Sequence, residues 1–175
     1  MSKSDNSLYI RSDSKSLIDI IIYVDDLVIG GKHLVDIKKV MSLLSEKFEM
    51  TYMKELHYFL GIEVIRNPVG IIISQWQYLL NLLYKFGMDE CKPVATPLDR
   101  NLKLDANSGT TRCEPTHYHQ LIESLIYLTI TRPDLRFLIG LLSQFMQTPR
   151  DIHLDYAKRV LRYICGTMDC VILAK

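Results

Sequence analysis

The sequence predicts an α+β fold in which a strand-rich first part is followed by a helical second part. Up to Ser74, runs rich in β-branched residues alternate with turn residues, which is typical of antiparallel strands. From Ser74 onward, apolar residues recur at helical spacing. The 175 residues are 48% hydrophobic, which is enough to build the core of one ordinary domain or two small ones.

The predicted strands form two antiparallel hairpins with a helix between them. We expect the strands at residues 8–11, 17–24, 27–29, 58–66 and 69–74. Asp25 and Asp26 interrupt the apolar run of the first hairpin, so we expect them at its tip. Apolar residues from Ile37 to Phe48 recur with the 3.6-residue period of a helix that packs one face on a core.

Four further helices are predicted in the second part. Ser74 and Gln77 fit a capping box for the first of them, and Gly87 fits the residue that ends it. Residues 88–114 carry several prolines and asparagines and predict a long connecting loop. We expect the other three helices at residues 115–130, 133–147 and 151–165, the last of them ended by Gly166.

Charge, cysteine usage and hydropathy give no indication of a strongly basic protein, a secreted protein or a membrane-spanning protein. The chain has 21 basic and 20 acidic residues, so its formal net charge of +1 gives no overall attraction to nucleic acid or acidic membranes. The four cysteines form no CxxC pair, and the N-terminus lacks an apolar signal segment. Both observations are typical of an intracellular, reduced protein. The longest apolar run, at residues 17–24, is too short to span a bilayer.

Two adjacent aspartates at the tip of an apolar hairpin form the candidate chemical site. Like charges held together repel each other unless a cation neutralises them. Magnesium prefers hard oxygen ligands, and phosphoryl-transfer sites hold it with one or two carboxylates and substrate phosphates. Asp25 and Asp26 are therefore candidate metal ligands. The alternative is that they simply form a turn, for which Asp is well suited.

Seven segments of the sequence follow one another in a distinctive order. They are YVDDLVIGG, FEM, YFLGIEV, ISQWQYLLNLLYKFGM, PVATPLD, SLIYLTITRPDL and YAKRVLRYICGT. In this order they resemble the copia-type reverse transcriptases of LTR retrotransposons, from about Leu8 to the last residues. The resemblance implies a partial polymerase palm, made of antiparallel hairpins and a helix, followed by a helical thumb or connection subdomain. It implies three regions: a partial palm with the YVDD hairpin and a primer-grip-like hairpin at 1–74, a first thumb helix and connecting loop at 75–114, and a helical thumb or connection region at 115–175.

The resemblance also implies roles for individual residues. Asp25 is implied as a catalytic metal ligand, and Asp26 as a second catalytic and metal-binding acid of supporting role. Tyr23 and Val24 are implied to lie near the nucleotide and the primer terminus. The implied cofactor is Mg²⁺ or Mn²⁺, which we expect only in the complete enzyme. In two-metal catalysis, such ions activate the primer hydroxyl and steady the leaving pyrophosphate.

Two catalytic ions need more carboxylates than one hairpin supplies. In the copia-type family, another aspartate lies on a strand well upstream of YVDD, and this sequence begins 22 residues before Tyr23. Asp19 shares a strand face with Tyr23 and Asp25, but six residues of strand place it roughly 20 Å away from Asp25. We therefore expect the isolated chain not to polymerise DNA.

Basic and aromatic residues of the second part are candidates for contact with nucleic acid. Thumb helices of polymerases hold the template–primer duplex through its phosphates, and such contacts are weakened by salt. The candidates are Trp76, Arg132, Lys158, Arg159 and Arg162. The alternatives are that the cations form a solvated helix face and that Trp76 packs in the core or against a hairpin.

The sequence is compatible with three functions. The chain is a fragment of an RNA-directed DNA polymerase that performs two-metal nucleotidyl transfer in a parent Pol polyprotein, a non-catalytic module that binds nucleic acid or a polymerase, or a transposon relic without function. The partners implied for the parent enzyme are an RNA or DNA template–primer, dNTPs, and the fingers, palm and RNase H segments of the polyprotein, with no membrane. The family implies a cytoplasmic particle or the nucleus as its location.

Overall fold

A computed structural model describes residues 6–12, 16–52, 55–99, 104–105 and 109–174. Within these ranges the protein is mixed α/β, with two antiparallel sheets and five α-helices. The predicted mixture of antiparallel strands and helices is confirmed at this level. The chain divides into two compact units, Met1–Leu56 and His57–Lys175. Within the same ranges, no helix combines the length and the hydropathy that crossing a membrane requires.

The first unit is a three-stranded antiparallel sheet followed by a helix. Its elements are β1 (Leu8–Ser12), β2 (Leu17–Tyr23), β3 (Asp26–Gly31) and α1 (Leu34–Ser45), and β2 is the central strand. Ile37 of α1 packs over Gly31, where an added Cβ would lie 3.2 Å from the Ile37 side chain. Ile18 pairs with Gly31 and is buried, so α1 packs against the sheet near this pair of residues.

The second unit contains a four-stranded antiparallel sheet. Its strands are β4 (Tyr58–Phe59), β5 (Ile62–Asn67), β6 (Gly70–Ser74) and β7 (Ile172–Ala174), paired in that order. The single strand predicted at 58–66 is wrong in one respect, because Leu60 and Gly61 form a tight turn between β4 and β5. Their φ angles are 49° and 78°, and positive values at both positions are typical of a type I′ turn. The Tyr127 hydroxyl donates a hydrogen bond to the Leu60 carbonyl.

Four helices carry the hydrophobic core of the second unit. They are α2 (Trp76–Lys85), α3 (Pro115–Leu128), α4 (Arg136–Ser143) and α5 (Asp151–Cys165). A 3₁₀ turn at Pro133–Leu135 precedes α4, so the helix predicted at 133–147 is shorter than expected. Side chains from all four helices meet in one buried cluster, among them Leu82, Ile122, Ile139 and Leu161. The loop predicted at 88–114 contains neither a helix nor a strand in its described parts.

The C-terminal end of α2 follows its sequence signal. Gly87 has a φ of 62°, a value that glycine adopts readily. The Met88 N–H donates to the Leu83 carbonyl at 2.8 Å, and the Gly87 N–H donates to the Tyr84 carbonyl at 3.0 Å. This pair of bonds is a Schellman motif, so the predicted glycine stop is confirmed.

The N-terminal end of α2 differs from its prediction. Ser74 ends β6, and its hydroxyl accepts the N–H of Trp76 at 3.1 Å instead of the N–H of Gln77. The Gln77 N–H is capped by a Glu63 carboxylate oxygen of β5 at 3.0 Å. The predicted capping box is therefore wrong, because a neighbouring strand supplies the acceptor that a local residue was expected to provide. This bond ties the start of α2 to the β5–β6 hairpin.

Gly166 stands at the end of α5 for a different reason from the one predicted. Its φ is −84°, which any residue adopts, so the helix does not need a glycine there to end. An added Cβ would instead lie 2.9 Å from the Pro93 side chain. The glycine is needed because a neighbouring segment of the chain approaches the helix end closely.

Candidate metal-binding hairpin and nucleic-acid surfaces

Asp25 and Asp26 lie together at the tip of the β2–β3 hairpin. Tyr23 pairs with Asp26, so the loop between the strands consists of Val24 and Asp25 alone. Both carboxylates are exposed, and neither forms an ion pair with any residue in the described ranges. The two predicted metal ligands are therefore adjacent, and no basic side chain there neutralises them.

Val24 adopts an unusual backbone conformation at this tip. Its φ is 51°, in a region that β-branched residues rarely occupy, and its side chain is 81% exposed. A positive φ at the first of two loop residues is the pattern of a type II′ turn, which favours glycine at that position. The turn therefore holds about 1–2 kcal/mol of local strain. The sequence contains no signal for this strain beyond the absence of glycine.

The strand register corrects one expectation about the hairpin faces. Asp26 lies directly across from Tyr23, while Asp25 lies in the loop. Asp26 and not Asp25 thus shares the sheet face that carries Asp19 and Tyr23, because residues two apart on a strand and directly paired residues point the same way. Asp19 pairs with Gly30, so it lies well down the hairpin from the two acids.

The two aspartates carry oxygen atoms of the kind that Mg²⁺ prefers as ligands. Two ionised carboxylates present four acceptor oxygens, and Mg²⁺ typically combines one or two carboxylates with water and substrate phosphates. Among the residues that the structure describes, no group of three or more Asp, Glu, His or Cys side chains is placed to hold a metal ion. Two carboxylates are fewer ligands than Mg²⁺ needs, so a cation at the tip would require further oxygen ligands.

Arg132 lies in the interior of the second unit. Its side chain is 2% exposed, and it forms a bidentate pair with the Asp134 carboxylate at 3.0 and 2.9 Å. It also donates to the carbonyl and the hydroxyl of Thr167, each at 3.0 Å, and it lies over the Tyr163 ring. The hydrogen bonds that Arg132 donates to the Asp134 carboxylate hold the pKa of that carboxyl below its ordinary value. A guanidinium buried in this way cannot reach a phosphate at the surface, so the geometry assigns Arg132 a structural role.

The other three candidate cations lie on α5. Lys158, Arg159 and Arg162 are all half-buried. Arg162 donates from Nε to the Lys92 carbonyl at 2.9 Å, and Arg159 donates from Nη2 to the Thr96 hydroxyl at 3.3 Å. Both bonds are made to residues 91–96, which run along α5 and which we call the strap. The two arginines are therefore fixed at the helix surface and do not extend freely into solvent.

A shallow cleft opens beside these two arginines. Its volume is about 300 Å³, and its lining comes entirely from α5: Ile152, Asp155, Tyr156, Arg159 and Arg162. Tyr156 and Asp155 were not among the residues predicted from the sequence. The signal that could have found them is their spacing, because residues three, four and seven apart share one side of a helix.

Trp76 is exposed at the start of α2. Its side chain is 42% exposed, and Leu80 and Tyr84 on the same helix are also exposed. These residues are four apart, so they form one stripe along α2. The tryptophan is therefore a partly accessible aromatic ring and not a residue of the buried core.

The chain is similar to a known polymerase family and to segments of several retrotransposon proteins. The model of the family described as reverse transcriptase (RNA-dependent DNA polymerase) matches residues 1–100. The retrovirus-related Pol polyproteins from transposons RE2 and RE1 of Arabidopsis thaliana are 44% and 43% identical over 98% and 95% of this chain. The putative transposon Ty5-1 protein of Saccharomyces cerevisiae is 30% identical over 94% of this chain and 54% of its own length. No solved structure matches the chain.

The chain covers only a small part of the two Arabidopsis polyproteins that it matches. The chain spans 12% of the RE2 polyprotein and 11% of the RE1 polyprotein. The family model covers the YVDD hairpin and the β5–β6 hairpin, because both lie within residues 1–100. The chain therefore belongs to the reverse transcriptase (RNA-dependent DNA polymerase) family, and the resemblance to copia-type elements is confirmed.

Proposed function

We propose that this chain supplies the aspartate pair of the catalytic palm, and part of the thumb, of an RNA-directed DNA polymerase within a retrotransposon Pol polyprotein. The observation that carries the proposal is the hairpin tip, where Asp25 and Asp26 are adjacent, exposed and without a basic partner in the described ranges. Two carboxylates left unneutralised in this way favour binding of a divalent cation.

Each residue of the tip has a distinct proposed role. Reverse transcriptases use divalent metal ions, and Mg²⁺ or Mn²⁺ in the complete enzyme would activate the primer hydroxyl and neutralise the leaving pyrophosphate. Asp25 serves as a metal ligand from the loop between β2 and β3. Asp26 is the supporting acid, held in register opposite Tyr23. Tyr23, half-exposed beside the acids, and Val24 lie next to the nucleotide and primer terminus.

The three proposed regions divide the work of the polymerase. Residues 1–74 form a partial palm with the YVDD hairpin and a primer-grip-like hairpin, 75–114 the first thumb helix and loop, and 115–175 a helical thumb or connection region. The hydrogen bond that the Gln77 N–H at the start of α2 donates to the Glu63 carboxylate supports a rigid link from the second hairpin to the first thumb helix. The proposed partners are a template–primer, dNTPs and the fingers, palm and RNase H segments of the polyprotein.

Nucleic-acid contact by the second unit is proposed for α2 and α5. Trp76 is partly exposed at the start of α2 and offers an aromatic face of the kind on which bases stack. Lys158, Arg159 and Arg162 lie on α5 and offer cations to phosphates. Arg132 is left out of this proposal because it is buried against Asp134.

A chimaera tests the polymerase proposal. The 175-residue segment replaces the matching segment of the RE2 Pol polyprotein, to which it is 44% identical, and primer extension on an RNA template is measured with Mg²⁺. We expect extension by the chimaera and a loss of at least about 100-fold with Asp25→Asn, because removing a charge that stabilises the transition state typically has an effect of that size. Asp26→Asn should cause a smaller loss.

The matched control uses a second pair of adjacent acids. Asp89 and Glu90 are also neighbours and exposed, so Asp89→Asn removes the same charge from a comparable turn and should leave extension unchanged. Equal extension by the Asp25→Asn chimaera and its parent would remove Asp25 from catalysis. The isolated chain should give no extension, because the aspartate pair alone provides too few ligands for two ions.

A further inference from the structure

The strap and the end of α5 bring two cysteines together. Cys91 is the first residue of the strap, and Cys165 is the last residue of α5. The Cys165 Sγ lies 3.8 Å from the Cys91 carbonyl oxygen, to which it donates a weak hydrogen bond. A carbonyl oxygen lies about 2.4 Å from the Cα of its own residue, so this sulfur lies within roughly 6 Å of the Cys91 Cα. The two sulfur atoms can therefore meet through a change in the side-chain torsions.

Neighbouring hydrogen bonds hold this part of the strap against the last turn of α5. The Val94 N–H donates to the Arg162 carbonyl at 3.4 Å, and the Arg162 Nε donates to the Lys92 carbonyl at 2.9 Å. Lys92 directly follows Cys91, and Arg162 lies within one helical turn of Cys165. The position of one cysteine beside the other is thus fixed by bonds that do not involve either thiol.

The two thiols also interact with each other. Both are free, and both side chains are half-buried, so part of each remains exposed to small molecules in solution. The pKa of the Cys91 thiol is raised, first by burial and then by its hydrogen bond with the Cys165 thiol and by the charge of that neighbour. Because the thiolate is the reactive form of cysteine, the raised pKa makes the reduced pair react slowly with weak oxidants.

We propose that Cys91 and Cys165 form a redox-sensitive pair, which a low-molecular-weight disulfide such as oxidised glutathione converts to a disulfide bond between the strap and α5. One cysteine thiolate attacks the glutathione disulfide, which forms a mixed disulfide and releases one glutathione thiolate. The second cysteine thiolate attacks the protein sulfur of the mixed disulfide, so the Cys91–Cys165 bond forms and the second glutathione thiolate leaves. The protein thiols lose two electrons and two protons, and the glutathione disulfide gains them. This pair is independent of the polymerase function proposed above.

The disulfide bond would fasten the strap to the end of α5. The two cysteines are 74 positions apart in the chain, and a cross-link over a segment of that length removes much of the freedom of the unfolded chain. We therefore expect oxidation to raise the Tm of the second unit by roughly 10 °C. Oxidation should also slow hydrogen exchange at the Val94 N–H, because the strap can no longer separate from α5 at its first residue.

The test oxidises the folded full chain with glutathione disulfide and identifies the linked tryptic peptides by mass spectrometry. Trypsin leaves Cys165 and Cys170 together on the peptide 163–175, so every chain in the test carries Cys170→Ser to make the assignment unambiguous. The peptide 86–100, which contains Cys91, should be linked to the peptide 163–175, with the loss of two hydrogen atoms and no glutathione retained. The rise in Tm should accompany this link and should disappear after reduction with dithiothreitol.

Single serine variants separate this pair from the other cysteines. Cys91→Ser and Cys165→Ser should each abolish both the link and the rise in Tm. Cys113→Ser is the matched control, because Cys113 is also half-buried, and it should change neither. Glutathione that stays on Cys165, a main product linked through Cys113, or a link that forms only in urea would overturn the proposal. A Cys91–Cys165 link that leaves the Tm and the Val94 exchange rate unchanged would also overturn it, because the strap would then not be fastened.

Discussion

Replacing Arg132 tests whether this residue stabilises the fold or binds nucleic acid. Its side chain is 2% exposed, whereas its partner Asp134 is 46% exposed. Removing one member of a buried pair typically costs about 3–5 kcal/mol, because the other member is left without compensation. Asp134 can regain water, so we take the lower end, about 3 kcal/mol, for Arg132→Met. That loss includes the two bonds to Thr167.

The assay for this prediction is thermal unfolding followed by far-UV circular dichroism. A loss of about 3 kcal/mol lowers the Tm by roughly 10 °C in a unit of this size. Arg136→Met is the matched control, because Arg136 is an exposed arginine at the start of α4 and should change the Tm by no more than about 2 °C. Equal melting of the two variants, with weaker duplex binding only in Arg132→Met, would refute the structural role.

Three further predictions concern particular contacts. Arg132 holds the pKa of Asp134 below its ordinary value, so the stabilisation by this pair is complete above about pH 4 and is lost as the pH falls through the lower folded pKa. Between about pH 5 and pH 3, the Tm of the Asp134→Asn variant should therefore fall by less than the Tm of the parent chain. Val24→Asn should stabilise the first unit by about 1 kcal/mol in urea unfolding, because Asn tolerates a positive φ and valine does not; unchanged or lower stability would contradict the strain. Tyr127→Phe should lower the Tm by a few degrees, because the bond to the Leu60 carbonyl at the β4–β5 turn is lost, and a Tm equal to that of the parent would show that this bond contributes nothing.

Local signals predicted most of the helices well. Pro115 and Gly87 mark helix ends that the structure confirms, and α5 has the predicted bounds of 151–165. These signals lie within one turn of the element that they define, so they can be read without knowledge of the tertiary fold. The acid pair at the hairpin tip is local in the same sense, because two strands rich in β-branched residues flank it.

Features that depend on distant residues could not be predicted. Glu63 caps α2 from a neighbouring strand, and β7 joins the sheet by pairing with β6 about 100 residues earlier in the chain. Gly166 looks like a helix stop but in fact leaves room for Pro93. In each case the interaction depends on how the chain returns to itself, and no spacing in the sequence encodes that return.

The sequence could not distinguish the roles of the candidate basic residues either. In the sequence, Arg132 flanks the start of one predicted helix and Arg159 lies beside the apolar stripe of another, and both are candidates for phosphate contact. Burial separates them: Arg132 is enclosed with Asp134 and Thr167, and Arg159 lines an open cleft. The role of an arginine depends on whether its charge is already compensated, and only the tertiary structure shows this.

Paramagnetic relaxation by Mn²⁺ shows which residues of this chain lie close to a bound divalent cation. Mn²⁺ is added to the ¹⁵N-labelled chain, and broadening of backbone amide signals is measured residue by residue. Catalytic ions are expected only in the complete enzyme, but the two carboxylates together with water ligands should still bind Mn²⁺ weakly when it is in excess. We therefore expect the strongest broadening at residues 23–26, its loss when Asp25 and Asp26 are both changed to Asn, and a weaker effect at the exposed pair Asp89 and Glu90. Broadening that is equally strong at both acid pairs, or that survives the double substitution, would contradict the assignment of a divalent-cation site to the hairpin tip.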